Sequence, residues 1–566
     1  MQSDRARPAG NRGARALTYL HPAAMPTPPT VPARAIAAAL ALTALGAAAQ
    51  TPLEWTRSIL TGFTWYTSDA PQLFRAPDSD LLVAGNTLEG ASESDFLIAR
   101  YTDSGDALWT FTWDGPSGSY DHLAAAAVDA AGAVIATGYA RVDSADTDLA
   151  VIKVTPDGEA AWTYTFDGGV QRPDAGVAIA LDADGSIYVT GYAAIDTLRP
   201  AKLLVQKLSP EGALLWAHVL GAADEYDCSG RLVKVLDDGI RVLGHYWPYI
   251  GSAGFTQTVV SADGTLIAHA EGPGIQGFGS AQCYAIDDDG YGYAGVFGRY
   301  RIMRIRPDAT TDWLYEHPSN LPWNVSADEC NALAIDAEGS IRATGRIAGP
   351  DYLGPTYTNC DVLTLKLDAS GTLAWSDRYA YQDANSCDMG NAIALDDALN
   401  AYAAGQSQHA GITTHYDFSI TKVSPEGTLI GELRYDGPDS GDDALTSIAV
   451  TPSAIYVAGI SMDAAGRSHL VTQKYSNTVG MAEAAAPLIG APSPNPFSAR
   501  FLLETGPGAR DADLVLTDIH GRTVRRLGRP QGERMTVERD GLPAGIYVLL
   551  ALRHGAPVLA RRVVAE

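Results

Sequence analysis

Between residues 53 and 476 the chain alternates short apolar runs with turns, and no stretch sustains a helical period. The clearest stretch is Val177-Ala178-Ile179-Ala180-Leu181, the turn Asp182-Ala183-Asp184-Gly185, then Ile187-Tyr188-Val189-Thr190-Gly191. Leu203 to Leu208 follows, and then a run from Ala213 to Leu220 that carries Trp216. Apolar and β-branched runs of this length between Gly-bearing turns predict four strands. The unit then repeats. Thr155-Pro156-Asp157-Gly158, Ser209-Pro210-Glu211-Gly212, Ser261-Ala262-Asp263-Gly264, Asp368-Ala369-Ser370-Gly371 and Ser424-Pro425-Glu426-Gly427 each open a last strand. Pro presets φ at the second turn position and Gly accepts positive φ, so these are hairpin turns. The Trp position recurs at Trp55, Trp109, Trp162, Trp216, Ala268, Trp313, Trp375 and Gly431. The mean spacing of about 54 residues is too long for a solenoid coil and right for a propeller blade.

The last unit, Ile448 to Tyr475, has three strands, and an orphan Trp strand, Glu54 to Leu60, opens the repeat region. Pairing the two removes two open sheet edges at once and gives eight blades. The unit 282–317 is short, which keeps a seven-blade count in play. The pattern Ala178-x-Ala180-x-Asp182-x-x-Gly185-x-x-Tyr188-x-Thr190-Gly191, followed by a Lys strand and Gly-x-x-x-Trp, resembles the bacterial β-propeller repeat family, over roughly residues 53–476. That resemblance implies the fold and leaves the activity open, since propellers host many functions.

After Ser476 an Ala- and Pro-rich stretch reads as a linker over 477–492, and 493–566 reads as a small alternating-strand sandwich, Ig-like in character. Its Asn495-Pro496-Phe497 opening, the Asp518-x-x-Gly521-Arg522 hairpin and the Leu542-x-x-Gly545-x-Tyr547 strand are similar to a type A sorting domain of the type IX secretion system. The likeness implies the secretion machinery as partner and passage through the periplasm to the outer-membrane surface or the medium. The other end agrees with export. Arg34 precedes an apolar run from Ala35 to Ala49 with Ala47-Ala48-Ala49 before Gln50, so 1–50 reads as leader and signal peptide, with Met25 as its expected start. The run is too short to span a bilayer, and no other stretch approaches the length required. The propeller itself is expected over 51–476.

Charge narrows the partners. The formal net charge is −26, yet residues 1–50 carry five Arg against one Asp, and 490–566 eleven Arg against eight acids. The strongly acidic middle repels phosphate backbones, which excludes nucleic acid. The oligomeric state leaves no mark on the sequence.

Chemistry-bearing residues are few. Bases share one register position (Arg100, Lys153, Lys207, Arg304, Lys366, Lys422, Lys474), and acids recur near strand starts (Asp95, Asp148, Asp174, Asp361, Asp417). Features copied around a ring serve every blade alike, so pairing between strands or blades accounts for them better than catalysis. Neither His-Glu-x-x-His nor Gly-x-Ser-x-Gly occurs, so the reading assigns no catalytic residue, no metal ligand and no cofactor. Asp182-Ala183-Asp184-Gly185 and Asp287-Asp288-Asp289-Gly290 leave weak surface Ca²⁺ binding open. Unrepeated aromatic residues are the better site candidates: Tyr226, Tyr246, Trp247, Tyr249, Trp323, Tyr352 and Tyr357, with Asp227 among them, all in loops expected on one face. Such rings suit a glycan or an extended protein segment. Five Cys lie between 228 and 387, and Cys360 with Cys387 is the favoured disulfide on that face, with pairings through Cys330 as rivals. The functional expectation is an exported, non-enzymatic binding or scaffold propeller. The alternative is an extracellular hydrolase or lyase on the same scaffold.

Overall fold

The alternation of apolar runs and turns produces strands throughout, with no helix among the described residues. The computed structural model describes residues 53–62, 71–89, 93–143, 146–221, 226–248, 253–272, 281–296, 299–318, 328–348, 360–380, 387–408, 415–437, 441–477, 497–504, 513–518, 522–530, 534–553 and 556–565. The expected leader and signal peptide, Met25 and positions 478–492 of the expected linker lie outside them. No described helix is long and apolar enough to cross a membrane.

Among the described residues, seven four-stranded antiparallel sheets follow one another at 72–113, 121–166, 175–220, 226–271, 281–316, 329–379 and 388–435. An eighth combines Asp443–Val450, Ala454–Met462 and Ser468–Ser476 with Leu53–Gly62. This is a β-propeller arrangement. First strands of successive sheets pack on one another, those of the eighth and first included. Second strands such as Ile187–Ala193 are buried almost throughout, whereas last strands such as Ala160–Phe166 alternate exposed and half-buried residues. The first strands therefore lie inside and the last strands face solvent. Leu53–Gly62 supplies the outer strand of the eighth sheet, antiparallel to Ser468–Ser476, with Trp55 opposite Lys474 and Ile59 opposite Leu470.

The recurrent Trp and the recurrent turn Gly meet between neighbouring sheets. A Cβ on Gly212 would lie 2.7 Å from Cδ2 of Trp162, whose Nε1 donates to the Pro210 carbonyl at 3.1 Å. Trp109 donates likewise to Pro156, and Trp375 to Pro425. At the junction of the eighth and first sheets Trp55 donates to the Asp103 carbonyl at 3.1 Å and covers Gly105. Each ring fills the place a side chain would take on the next sheet's turn, so the Gly is required by contact as well as by its positive φ. The position is Ala268 in the fourth sheet and Gly431 in the seventh, where no ring is available.

The shared base sits opposite that Trp position, as Lys207 opposite Trp216 and Lys153 opposite Trp162. The bases reach turn acids: Lys153 to Asp129 at 3.0 Å, Lys207 to Asp182 at 3.6 Å, Arg304 to Asp287 at 3.3 Å and Lys474 to Asp103 at 2.8 Å. Tyr188 and Tyr293 donate to Asp182 and Asp287 at 3.0 and 2.9 Å. In the sixth sheet the buried Arg342 takes the Tyr place and pairs with Asp336. These tie strands within one sheet, save Lys474 to Asp103, which ties the eighth sheet to the first. Asp182 and Asp287 have their carboxylates engaged by turn N–H groups, a Tyr and a Lys or Arg.

In the tail, Thr523–Gly528, Asp513–Asp518, Gly545–Arg553 and Ala556–Ala565 form one sheet in that order, and Arg500–Glu504 pairs with Arg534–Glu538. Phe501, Leu503 and Val537 from the pair share one core with Leu514, Leu516 and Leu549 from the larger sheet. Of the residues in the expected sorting motif, Phe497 is buried 4.8 Å from Phe501, and Tyr547 donates to the Pro543 carbonyl at 2.8 Å. Gly545 opens its strand, while Asn495, Pro496 and Gly521 lie outside the described residues.

Candidate functional site

Antiparallel order puts the start of every first strand and the end of every second strand on one face of the ring. The residues before or at those first strands include Asp121, Asp174, Asp328, Asp388 and Asp443, all essentially without solvent exposure. Each accepts at least one hydrogen bond locally, while Oδ1 of Asp443 has no partner. Asp174 accepts from Gly168 N at 2.5 Å and Ala194 N at 2.6 Å, Asp121 from the N–H groups of Gly115 and Arg141, and Asp328 from Ala348 N at 2.7 Å. Asp443 accepts from Gly437 N at 2.8 Å, and Asp388 accepts from the Ser407 hydroxyl. Gly168 follows the last strand of one sheet and Ala194 the second strand of the next, so Asp174 ties two sheets at their junction. Burial disfavours the charged form and pushes Asp174 up to about 6 and Asp443 to about 7.

Two of these junctions gather further acids. Asp95, Asp114 and Asp121, and in the next repeat Asp148, Asp167 and Asp174, each offer an oxygen within 4.8 Å of the others. Burial first, then the charges of Asp167 and Asp146, push Asp148 up to about 6. Asp146 is raised by burial, then by Asp143 and Asp167, and its Oδ1 has no hydrogen-bond partner. Asp95, Asp148 and Asp174 stand out in the sequence as repeated acids, but Asp114, Asp121, Asp146 and Asp167 do not. Trp113-Asp114-Gly115, Phe166-Asp167-Gly168 and Tyr435-Asp436-Gly437 were the signal, an Asp-Gly step closing an outer strand.

The aromatic candidates divide. Gly239–Pro248 is a strand through Pro248, where the sequence suggests a loop, with Asp227 opposite Trp247 and Cys228 opposite Tyr246. Alternation then turns one ring in and the next out. Tyr246 is buried and donates to the Gly272 carbonyl at 2.6 Å, so its ring packs the core and does not face solvent as a ligand platform would. Trp247 is 46% exposed, while the other described tryptophans are buried or half-buried. Its indole lies edge-on to the His245 ring, centroids 6.4 Å apart. Burial lowers His245 to about 3, which keeps it neutral. Asp227 is exposed and accepts from Ala201 N at 2.9 Å. Tyr226 belongs to the strand Tyr226–Leu236. Tyr249, Trp323, Tyr352 and Tyr357 lie outside the described residues.

Cys360 and Cys387 are joined as a disulfide with Cα atoms 4.3 Å apart. Cys387 is held by its N–H on Gln408 Oε1 and its carbonyl on Gln408 N, both at 3.1 Å. Cys330 faces Cys283 instead, Sγ to Sγ 3.9 Å, and both are free thiols, as is buried Cys228.

No protein-family model matches the chain, and no curated protein matches it. Among solved structures it is similar to polysaccharide lyase Uly1, at 10% identity over 74% of this chain and 92% of that one, TM-score 0.40. It is similar to a protein of unknown function from Bacteroides caccae, at 11% identity over 54% and 97%, TM-score 0.29. A calcium-binding protein, regucalcin, from Agrobacterium tumefaciens str. C58 shares 12% identity over 53% and 90%, TM-score 0.26.

Proposed function

We propose that this chain is an exported binding or scaffold propeller without catalytic activity, taking a glycan or protein segment on the face where its first strands begin. Eight blades, the last completed by the N-terminal strand, make that face a closed rim, and the pairing of Leu53–Gly62 with Ser468–Ser476 supports the count. The observation that carries the binding reading is Trp247, whose exposed indole stands in register beside the exposed carboxylate of Asp227. An apolar ring face next to an acceptor suits a sugar ring or an extended peptide. Glycan and peptide arrays probed with the purified mature chain test it. Trp247→Ala is expected to weaken the ligand found by about tenfold or more. An unchanged array signal would remove the reading, and cleavage of the arrayed ligand would turn it toward the hydrolase or lyase alternative.

Delivery rests on the tail, proposed as a type IX sorting domain. Its own core of Phe497, Phe501 and Leu549 supports an independently folding unit. A chain ending at Pro487 is expected to fold yet fail to reach the surface of a host with type IX secretion. Normal surface delivery of that chain would contradict the assignment.

A further inference from the structure

We infer that Asp146, Asp148, Asp167 and Asp174, at the junction of the second and third sheets, form a divalent-cation site of calcium chemistry. Three of the four already converge, with oxygens of Asp148, Asp167 and Asp174 within 4.8 Å of one another. Asp146 adjoins them, acting on both Asp148 and Asp174, and only 7% of its surface is exposed. Its Oδ1 has no hydrogen-bond partner in that position. A buried carboxylate oxygen without a donor, beside three more acids, is costly unless a positive charge is supplied.

The other repeats show how the fold supplies it. In the seventh sheet, Asp417 stands two residues before Ser419, which is opposite Arg434. Arg434 Nη2 lies 2.6 Å from Asp417, and Asp417 and Asp436 both act on Asp443 at that junction. The acids of the proposed site hold the same three places, but the residue opposite Ala150, where Arg434 would stand, is Thr165. The sixth sheet repeats the arginine solution, with Arg378 opposite Leu363 and paired with Asp361. Between the first and second sheets the trio Asp95, Asp114 and Asp121 has Arg141 acting on Asp121, and Arg141 also gives that carboxylate its N–H. The residue giving the matching N–H to Asp174 is Ala194. Of the three junctions with this acid trio, the one between the second and third sheets has no arginine at either position, with Thr165 in one place and Ala194 in the other. An all-oxygen, all-carboxylate set selects a hard cation, and four acids around irregular loop ends fit the variable coordination of Ca²⁺ better than the strict octahedron of Mg²⁺.

Calorimetric titration of the chelator-treated mature chain with CaCl₂, and its melting with and without Ca²⁺ at matched ionic strength, test the site. One Ca²⁺ per chain and a raised Tm are expected. Asp167→Asn, a substitution of an exposed side chain, should weaken Ca²⁺ at least about tenfold by removing a ligand charge. Thr165→Arg, also at an exposed position, should restore the internal cation: it should melt without Ca²⁺ near the wild-type Tm with Ca²⁺, and no longer respond to the ion. Absence of a Ca²⁺ response in the wild type would overturn the proposal. So would an undiminished response in either variant, and Thr165→Arg alone decides the matter should Asp167→Asn not fold.

Discussion

Replacing Gly212 by Ala tests whether the Trp rings lock neighbouring blades. Gly212 has φ +85°, and its added Cβ would meet Trp162 Cδ2 at 2.7 Å and Cε3 at 2.8 Å. Carbon atoms prefer about 3.5–4.0 Å, so the overlap is near 1 Å. The indole cannot swing away freely, because Nε1 is held by the Pro210 carbonyl. The left-handed conformation costs a non-Gly residue about 1–2 kcal/mol, and forcing the ring aside about 1–3 kcal/mol more. The expected loss is therefore about 2–5 kcal/mol. Gly169 supplies the control, with φ +89° and nothing within 4 Å of an added Cβ. Gly169→Ala should cost only the conformational part, about 1–2 kcal/mol. Urea unfolding followed by Trp fluorescence and far-UV circular dichroism measures both. In a double-mutant cycle, Trp162→Ala should reduce the Gly212→Ala penalty to the Gly169 level, because the obstructing ring is gone. Equal penalties for the two Gly variants, or a cycle with no coupling, would refute the contact as the reason for the turn Gly.

Asp443, raised to about 7 by burial and by Asp417 and Asp436, favours the native state while protonated. Its stabilising effect is complete below the unfolded pKa near 4 and is lost as pH rises through 7, on the order of 4 kcal/mol at most, so Asp443→Asn should gain Tm relative to wild type between pH 5 and pH 8; a constant difference would contradict this. Arg342→Ala leaves buried Asp336 uncompensated and should cost about 3–5 kcal/mol in urea unfolding, whereas a loss under 1 kcal/mol would refute the buried pair. Removing the Cys360–Cys387 bridge, which spans 27 residues, should lower stability by about 3 kcal/mol, and identical melting of the oxidised chain and a Cys360→Ala, Cys387→Ala variant would show that it contributes nothing.

The blade was legible because its period is long and its punctuation strong: a Trp, a Gly turn and a base return at fixed spacing. What the period could not reveal is which repeat each ring leans on. Trp162 and Gly212 are both visible in the sequence, but only the ring geometry brings them together. The same holds for the acids. Asp148 lies in the third strand of one repeat, Asp167 just after its last strand and Asp174 just before the first strand of the next, and no single repeat contains the group. The aromatic face was harder still. Tyr246 and Trp247 are alike in composition, and the strand's continuation to Pro248 decides that one is core and the other surface. That extension carries no apolar alternation to announce it, and its Pro248 reads as the start of a turn.

The account depends above all on the ring being closed by its own N-terminal strand. Thr56 and Gln473 are directly opposed across that seam, with Gln473 Nε2 3.3 Å from Thr56 Oγ1. Cysteines at both positions, oxidised at low protein concentration, test the pairing by non-reducing peptide mapping of the monomer. The account predicts one linked peptide joining the segments around residues 56 and 473; recovery of both as free thiols from the folded monomer would contradict it.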